Sequence, residues 1–139
     1  MHRLNSLSPQ LLTILSNGEL QAIKSQISGQ LDAFPAGDNL APEIATILEK
    51  LKSGEELTSA QIGDLHVHAE AQDNAYFDAQ DASNDVLALE HFGQARFLMG
   101  VYCLATATDG DGLADAAYEL CMSRGDPDEA ATALLSRIA

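Results

Sequence analysis

Helix start and stop signals recur along this chain at helix-length intervals, and nothing between them reads as a strand. No stretch alternates apolar and polar residues over several β-branched or aromatic positions, and no Asn-Gly or Asp-Gly pair separates two such runs. Ser8-Pro9 is an N-cap with proline at the first helical position, and Gly18 stops a short helix whose core face is Leu11, Leu12 and Leu15. A second helix is predicted from Glu19 to about Phe34, on Leu20, Ile23, Ile27 and Leu31, with Gly29 weakening its last turn. Residues 35–39 read as a loop by composition. A third helix follows Pro42, carries Ile44, Ile47, Leu48 and Leu51, and ends before Gly54. Thr58 with Gln61 three residues later forms a capping box for a fourth helix reaching about Gln80, with Ile62, Leu65, Ala69 and Tyr76 as its apolar stripe. Ser83 or Asn84 caps a fifth, through Leu87, Phe92, Leu98, Val101 and Leu104. Its Gly93 and Gly100 fall on nearly one face, where another helix can approach closely. Asp111 is read as the cap of a sixth helix and Asp126-Pro127 as the start of the last. These short linkers predict an all-α, single-domain bundle of six to seven helices over residues 1–139.

With 46% apolar residues, a chain of this length buries a real core. Its charge is far from balanced: 7 Lys and Arg against 21 Asp and Glu, a formal net charge of −14. Between Lys52 and Arg96 lie 43 residues without a single Lys or Arg. The same span carries Glu55, Glu56, Asp64, Glu70, Asp73, Asp78, Asp81, Asp85 and Glu90. A solvated helix face ordinarily mixes signs, since opposite charges at i,i+4 add a few tenths of a kcal/mol and like charges subtract as much. Self-repulsion on this scale therefore opposes folding. Solubility alone would account for it; so would a negative surface that steers and docks a basic partner. The same balance argues against nucleic acid, whose phosphates call for clustered Lys and Arg.

Geometry sharpens the second account. At about 100° per residue, His66, Glu70, Asp73 and Phe77 share one stripe of the fourth helix, beside its apolar one. Acids around an aromatic suit a docking patch in which Phe77 or Tyr76 anchors and carboxylates receive Arg or Lys. The competing account turns Phe77 into the core and leaves the acids merely solvated.

Catalytic chemistry finds little footing. His66 and His68 point about 200° apart on a helix and cannot share one ion, whereas His66, Glu70 and Asp73 can face one another; a zinc site would still need a ligand from elsewhere. Asp109-x-Asp111-Gly112 resembles a fragment of a calcium loop, but the required positions 1 and 12 fall on Ala107 and Tyr118. No phosphate-binding loop or nucleophile elbow is present. Cys103 and Cys121 read as small core residues. The expectation is a protein without enzymatic activity, metal or cofactor. The longest mostly apolar run, 97–107, is too short for a bilayer, and the first residues lack a signal-peptide core, so a cytoplasmic location is expected.

Leu65-His66, the acidic break Phe77-Asp78-Ala79-Gln80-Asp81 and the apolar segment Phe92 to Gly100 lie within a stretch, 57–100, that resembles a small helical immunity family of type VI secretion effectors. More broadly, small acidic all-helical chains resemble the immunity proteins paired with bacterial antagonistic toxins, including Rhs and contact-dependent systems. The resemblance implies stoichiometric binding of a cognate toxin's catalytic domain and occlusion of its active site. The docking residues expected on this reading are His66, Glu70, Asp73, Tyr76, Phe77, Asp78, Asp81 and Asp85. The rival reading is a regulatory or scaffold bundle that binds a peptide, or forms a homo-oligomer, through apolar helix packing.

Overall fold

Six of the seven α-helices begin where a side chain accepts an amide hydrogen that the first turn leaves without a partner, and the helix after Ala41 starts on Pro42 instead. A computed structural model describes residues 2–34 and 40–138. Seven α-helices joined by short connections make up an all-α bundle among these residues: α1 (Pro9–Asn17), α2 (Leu20–Gly29), α3 (Pro42–Lys52), α4 (Ser59–Asp81), α5 (Asp85–Thr106), α6 (Gly110–Met122) and α7 (Pro127–Ile138). Ser8 Oγ accepts from the Leu11 amide at 3.1 Å, with Pro9 in the first turn. The Thr58–Gln61 capping box closes in both directions. Of the two candidates at the start of α5, Asn84 is the cap, its Oδ1 accepting from the Leu87 amide at 3.2 Å.

Two boundaries differ from expectation. α2 stops at Gly29, and the chain continues through a 3-10 turn at Leu31–Ala33. Phe34 then takes an extended backbone, the conformation favoured before a proline such as Pro35. Leu31 and Phe34 are nevertheless buried. The predicted loop at 35–39 lies outside the described residues. The cap of α6 is Asp109, not Asp111: Asp109 is extended and accepts from the Gly112 amide at 2.8 Å, while Asp111 is already helical. Gly110 opens α6 against the end of α1, where a Cβ would stand 2.9 Å from Leu15 O.

One core cluster draws on every helix. Leu11 and Leu15, Ile23 and Ile27, Ile44 and Ile47, Leu65, Phe97 and Val101, Leu113 and Leu120, and Leu134 carry it. The expected close approach at the α5 glycines is present: a Cβ on Gly100 would meet Leu120 Cγ at 2.7 Å, and one on Gly93 would meet Ser123 O at 3.1 Å. Both gaps belong to the α5–α6 seam.

α4 and α5, of 23 and 22 residues, are about twice as long as their neighbours. They pack along each other through a Ser83-centred turn whose φ of 57° lies in the left-handed region. Beyond Ala69 in α4 and before Ala95 in α5, only Ala79 and Ala88 are buried. Residues 70–92 thus form an arm that meets little but itself. Among the described residues no helix is long and apolar enough to cross a membrane.

Candidate docking surface

The seam of the arm is set by small residues and a few specific contacts. Tyr76 meets Phe92 with ring centroids 5.6 Å apart, and Phe77 lies 5.3 Å from Tyr76 on its other side. Gln72 Oε1 and His91 Nδ1 are 2.6 Å apart across the seam. Nearer the body, the His66 ring tilts against Tyr102 at 5.4 Å, and its Nδ1 stands 3.6 Å from Glu70 Oε1.

At the foot of the arm lies a buried ionic cluster. Glu119, only 3% exposed, receives Arg3 Nη2 at 2.9 Å and Arg96 Nη1 at 3.0 Å. The other terminal nitrogen of Arg96 reaches both Asp73 oxygens, at 3.1 and 3.2 Å. Arg3 also lies over the Tyr118 ring at 4.3 Å, and His2 Nε2 approaches Asp115 Oδ1 at 2.6 Å. A carboxylate this buried persists because two guanidiniums neutralise it.

The remaining cations are engaged in the body as well. Lys24 donates to Ala105 O, Lys50 to Gln61, Lys52 to Asp32 and Glu49, Arg124 to Ala33 O and Arg137 to Gln30. The Asp32 and Glu49 carboxylates beside Lys52 hold its ammonium above the ordinary lysine range. Backbone hydrogen bonding at the start of α3, more than the nearby His68, holds the Glu43 carboxyl below its usual value. All seven Lys and Arg side chains are thus engaged within the body or by Asp73 at the foot of the arm.

The arm beyond that foot has a different surface. Phe77 is 58% exposed, Val86 72% and Leu89 71%, with Leu87 on the rim. Asp78, Asp81, Asp85 and Glu90 are exposed at the same end of the arm, with no cation within salt-bridge distance among the described residues. On α4, Glu70, Phe77, Asp78 and Asp81 fall within about 100° of one another. The expected docking residues therefore divide. Phe77, Asp78, Asp81 and Asp85 share the open end of the arm, with Tyr76 half-buried beneath Phe77. Glu70 is exposed nearer the foot, while Asp73 is engaged by Arg96 and His66 rests on Tyr102.

Val86 and Leu89 were not singled out as surface residues by the sequence pattern. Their signal was present: Val86 and Leu89 continue the Gly93–Gly100 stripe of α5, so their exposure follows from how far α6 reaches. Leu87, placed by the sequence on the apolar side of α5, stands 39% exposed.

Other parts of the molecule offer different chemistry. Burial pushes the Cys121 thiol up to about 12 and, helped by Glu119 and Asp115, the Cys103 thiol up to about 11. Neither is a thiolate at neutral pH. No group of three His, Cys, Asp or Glu side chains gathers to hold a metal ion among the described residues. A cleft of about 370 Å³ opens between α2, the turn after α3 and the end of α5, with Lys24, Ser28, Glu55 and Ile62 in its walls, and no residue of the arm lines it. No family model matches the chain, and no curated protein or solved structure matches it.

Proposed function

We propose that this chain is a non-enzymatic binding protein whose α4–α5 arm docks a cationic protein, and that it is of the immunity type, covering the catalytic domain of a cognate bacterial toxin. The observation that carries this reading is the coincidence of two surfaces at one place. The exposed apolar side chains Phe77, Val86 and Leu89 stand at the same end of the arm as the exposed Asp78, Asp81, Asp85 and Glu90, which have no cation within salt-bridge distance among the described residues. An apolar centre within a charged rim is the anatomy of a protein–protein interface, and the sign of the rim selects a basic partner. Such a partner supplies the positive charge that the arm lacks, so binding relieves the self-repulsion that folding tolerates.

The test is charge reversal at the arm's open end. Asp78→Lys, Asp81→Lys and Asp85→Lys together are expected to weaken binding of the proposed cationic toxin domain by at least about a hundredfold at low salt, and to abolish relief of that domain's toxicity on co-expression. Unchanged binding by calorimetry sinks the docking face. The alternative, a scaffold bundle that self-associates through apolar packing, is separated by salt. Carboxylate steering fades as the screening length falls below about 8 Å, whereas apolar packing persists.

A further inference from the structure

The stripe of α5 that receives α6 does not end where α6 ends. Gly100 and Gly93 face Leu120 and Ser123, so that side of α5 is the seat of a helix. At about 100° per residue, Leu89 and Val86 lie within roughly 40° of Gly93, on the same side. α6 is 13 residues long against 22 for α5, and the chain turns away into α7 after Ser123. The next two turns of the seat are therefore bare. They are also apolar: Phe92 joins Leu89 and Val86 at i,i+3 steps, and Tyr76 and Phe77 extend the strip across to α4 through ring contacts of 5.6 and 5.3 Å. Asp85 lies to one side of the Val86–Leu89 pair and Glu90 to the other, both exposed.

We infer that this ledge receives an amphipathic α-helix of the cationic partner, laid against α5 beyond the end of α6, with apolar residues on Val86, Leu89 and Phe77 and Lys or Arg reaching Asp85 and Glu90. The inference rests on the docking reading above and names the shape of its occupant. A helix fits because the ledge extends a surface already built to take one, and apolar anchors at i and i+3 match the spacing on an incoming helix. Among the described residues there is no sheet edge to which an extended segment would add a strand. A second copy of this chain is disfavoured by charge: it would bring Asp85 and Glu90 against carboxylates in a molecule of net charge −14.

The experiment titrates the intact protein with two synthetic peptides of roughly 18 residues, about five helical turns. One is a Leu/Lys sequence with Leu at i, i+3, i+4 and i+7; the other is a scramble of identical composition. The amphipathic peptide is expected to bind at least about tenfold more tightly than the scramble at physiological salt. Val86→Gln with Leu89→Gln should erase that preference while leaving the melting curve unchanged. Equal binding of the two peptides overturns the helix inference, as does a preference that survives the double substitution. If Asp78→Lys, Asp81→Lys and Asp85→Lys weaken both peptides equally while the preference is absent, the docking face stands and only the helical occupant falls. Failure of both peptides to bind even at low salt removes both. A concentration-dependent dimer that dissolves on Val86→Gln and Leu89→Gln assigns the ledge to a second copy and overturns the inference.

Discussion

The two ends of the α4–α5 hairpin are made from the same helices and follow opposite rules. At the foot, the buried charges are paired: Asp73 and Glu119 share Arg96, and Glu119 also holds Arg3. At the open end, four carboxylates stand without a cation and three large apolar side chains face outward. The foot is built for the fold. The open end contributes little to it, through a seam whose buried residues there are Ala79 and Ala88. The difference teaches that acidity along this hairpin is not a uniform coating: arginines meet it at the foot, while the open end carries carboxylates and no Lys or Arg at all.

Substitutions can break that contrast from the body side first. Glu119→Ala leaves Arg96 partly buried with one partner fewer, and should cost roughly 3 kcal/mol or more in a urea melt. Gly100→Ala, which drives a methyl group into Leu120, should cost about 1–3 kcal/mol. A loss of similar size from Val86→Gln and Leu89→Gln would erase the distinction between body and arm; the expected change is within about 0.5 kcal/mol. Neutralising the arm with Asp78→Asn, Asp81→Asn and Asp85→Asn should raise stability by a few tenths of a kcal/mol at low salt, the gain vanishing as salt is added.

Alkaline pH probes a thiol of the body. The Cys103 thiol is raised from 9.0 to about 11 in the folded chain, so the native state keeps a proton that the unfolded chain releases first. Its contribution is full below pH 9 and is lost as pH rises toward 11. Alkylation by iodoacetamide should accordingly be slow at neutral pH and accelerate only across that window. The smallest expected effect is at the turn of the arm. Ser83→Gly removes a left-handed strain of about 1 kcal/mol but frees the unfolded chain, and a net gain of a few tenths in a thermal melt would confirm that the turn is under strain.

Much of the fold was legible because its signals are local. Caps at Ser8, Thr58, Asn84 and Asp126 sit within three residues of the amides they receive, and the Gly93–Gly100 spacing announced a helix contact before its partner was known. The Asp109 cap was misjudged because Asp111 stands one turn-like step away and either aspartate fits the local pattern. The candidate docking surface was legible only in part. Phe77 and its acids follow from helical spacing, but Asp73 is engaged by an arginine 23 residues away, which no local pattern reports. The exposure of Val86 and Leu89 depends on the length of α6, a property of another element.

Arg96 has a practical corollary. Through Glu119 it fastens the arm and Arg3 to one shared carboxylate, so the chain's first residues and the root of the arm have a common mooring although they are far apart in sequence. Loss of the Arg3 guanidinium therefore takes one of its two counterions from Glu119, the carboxylate on which the root of the arm also rests.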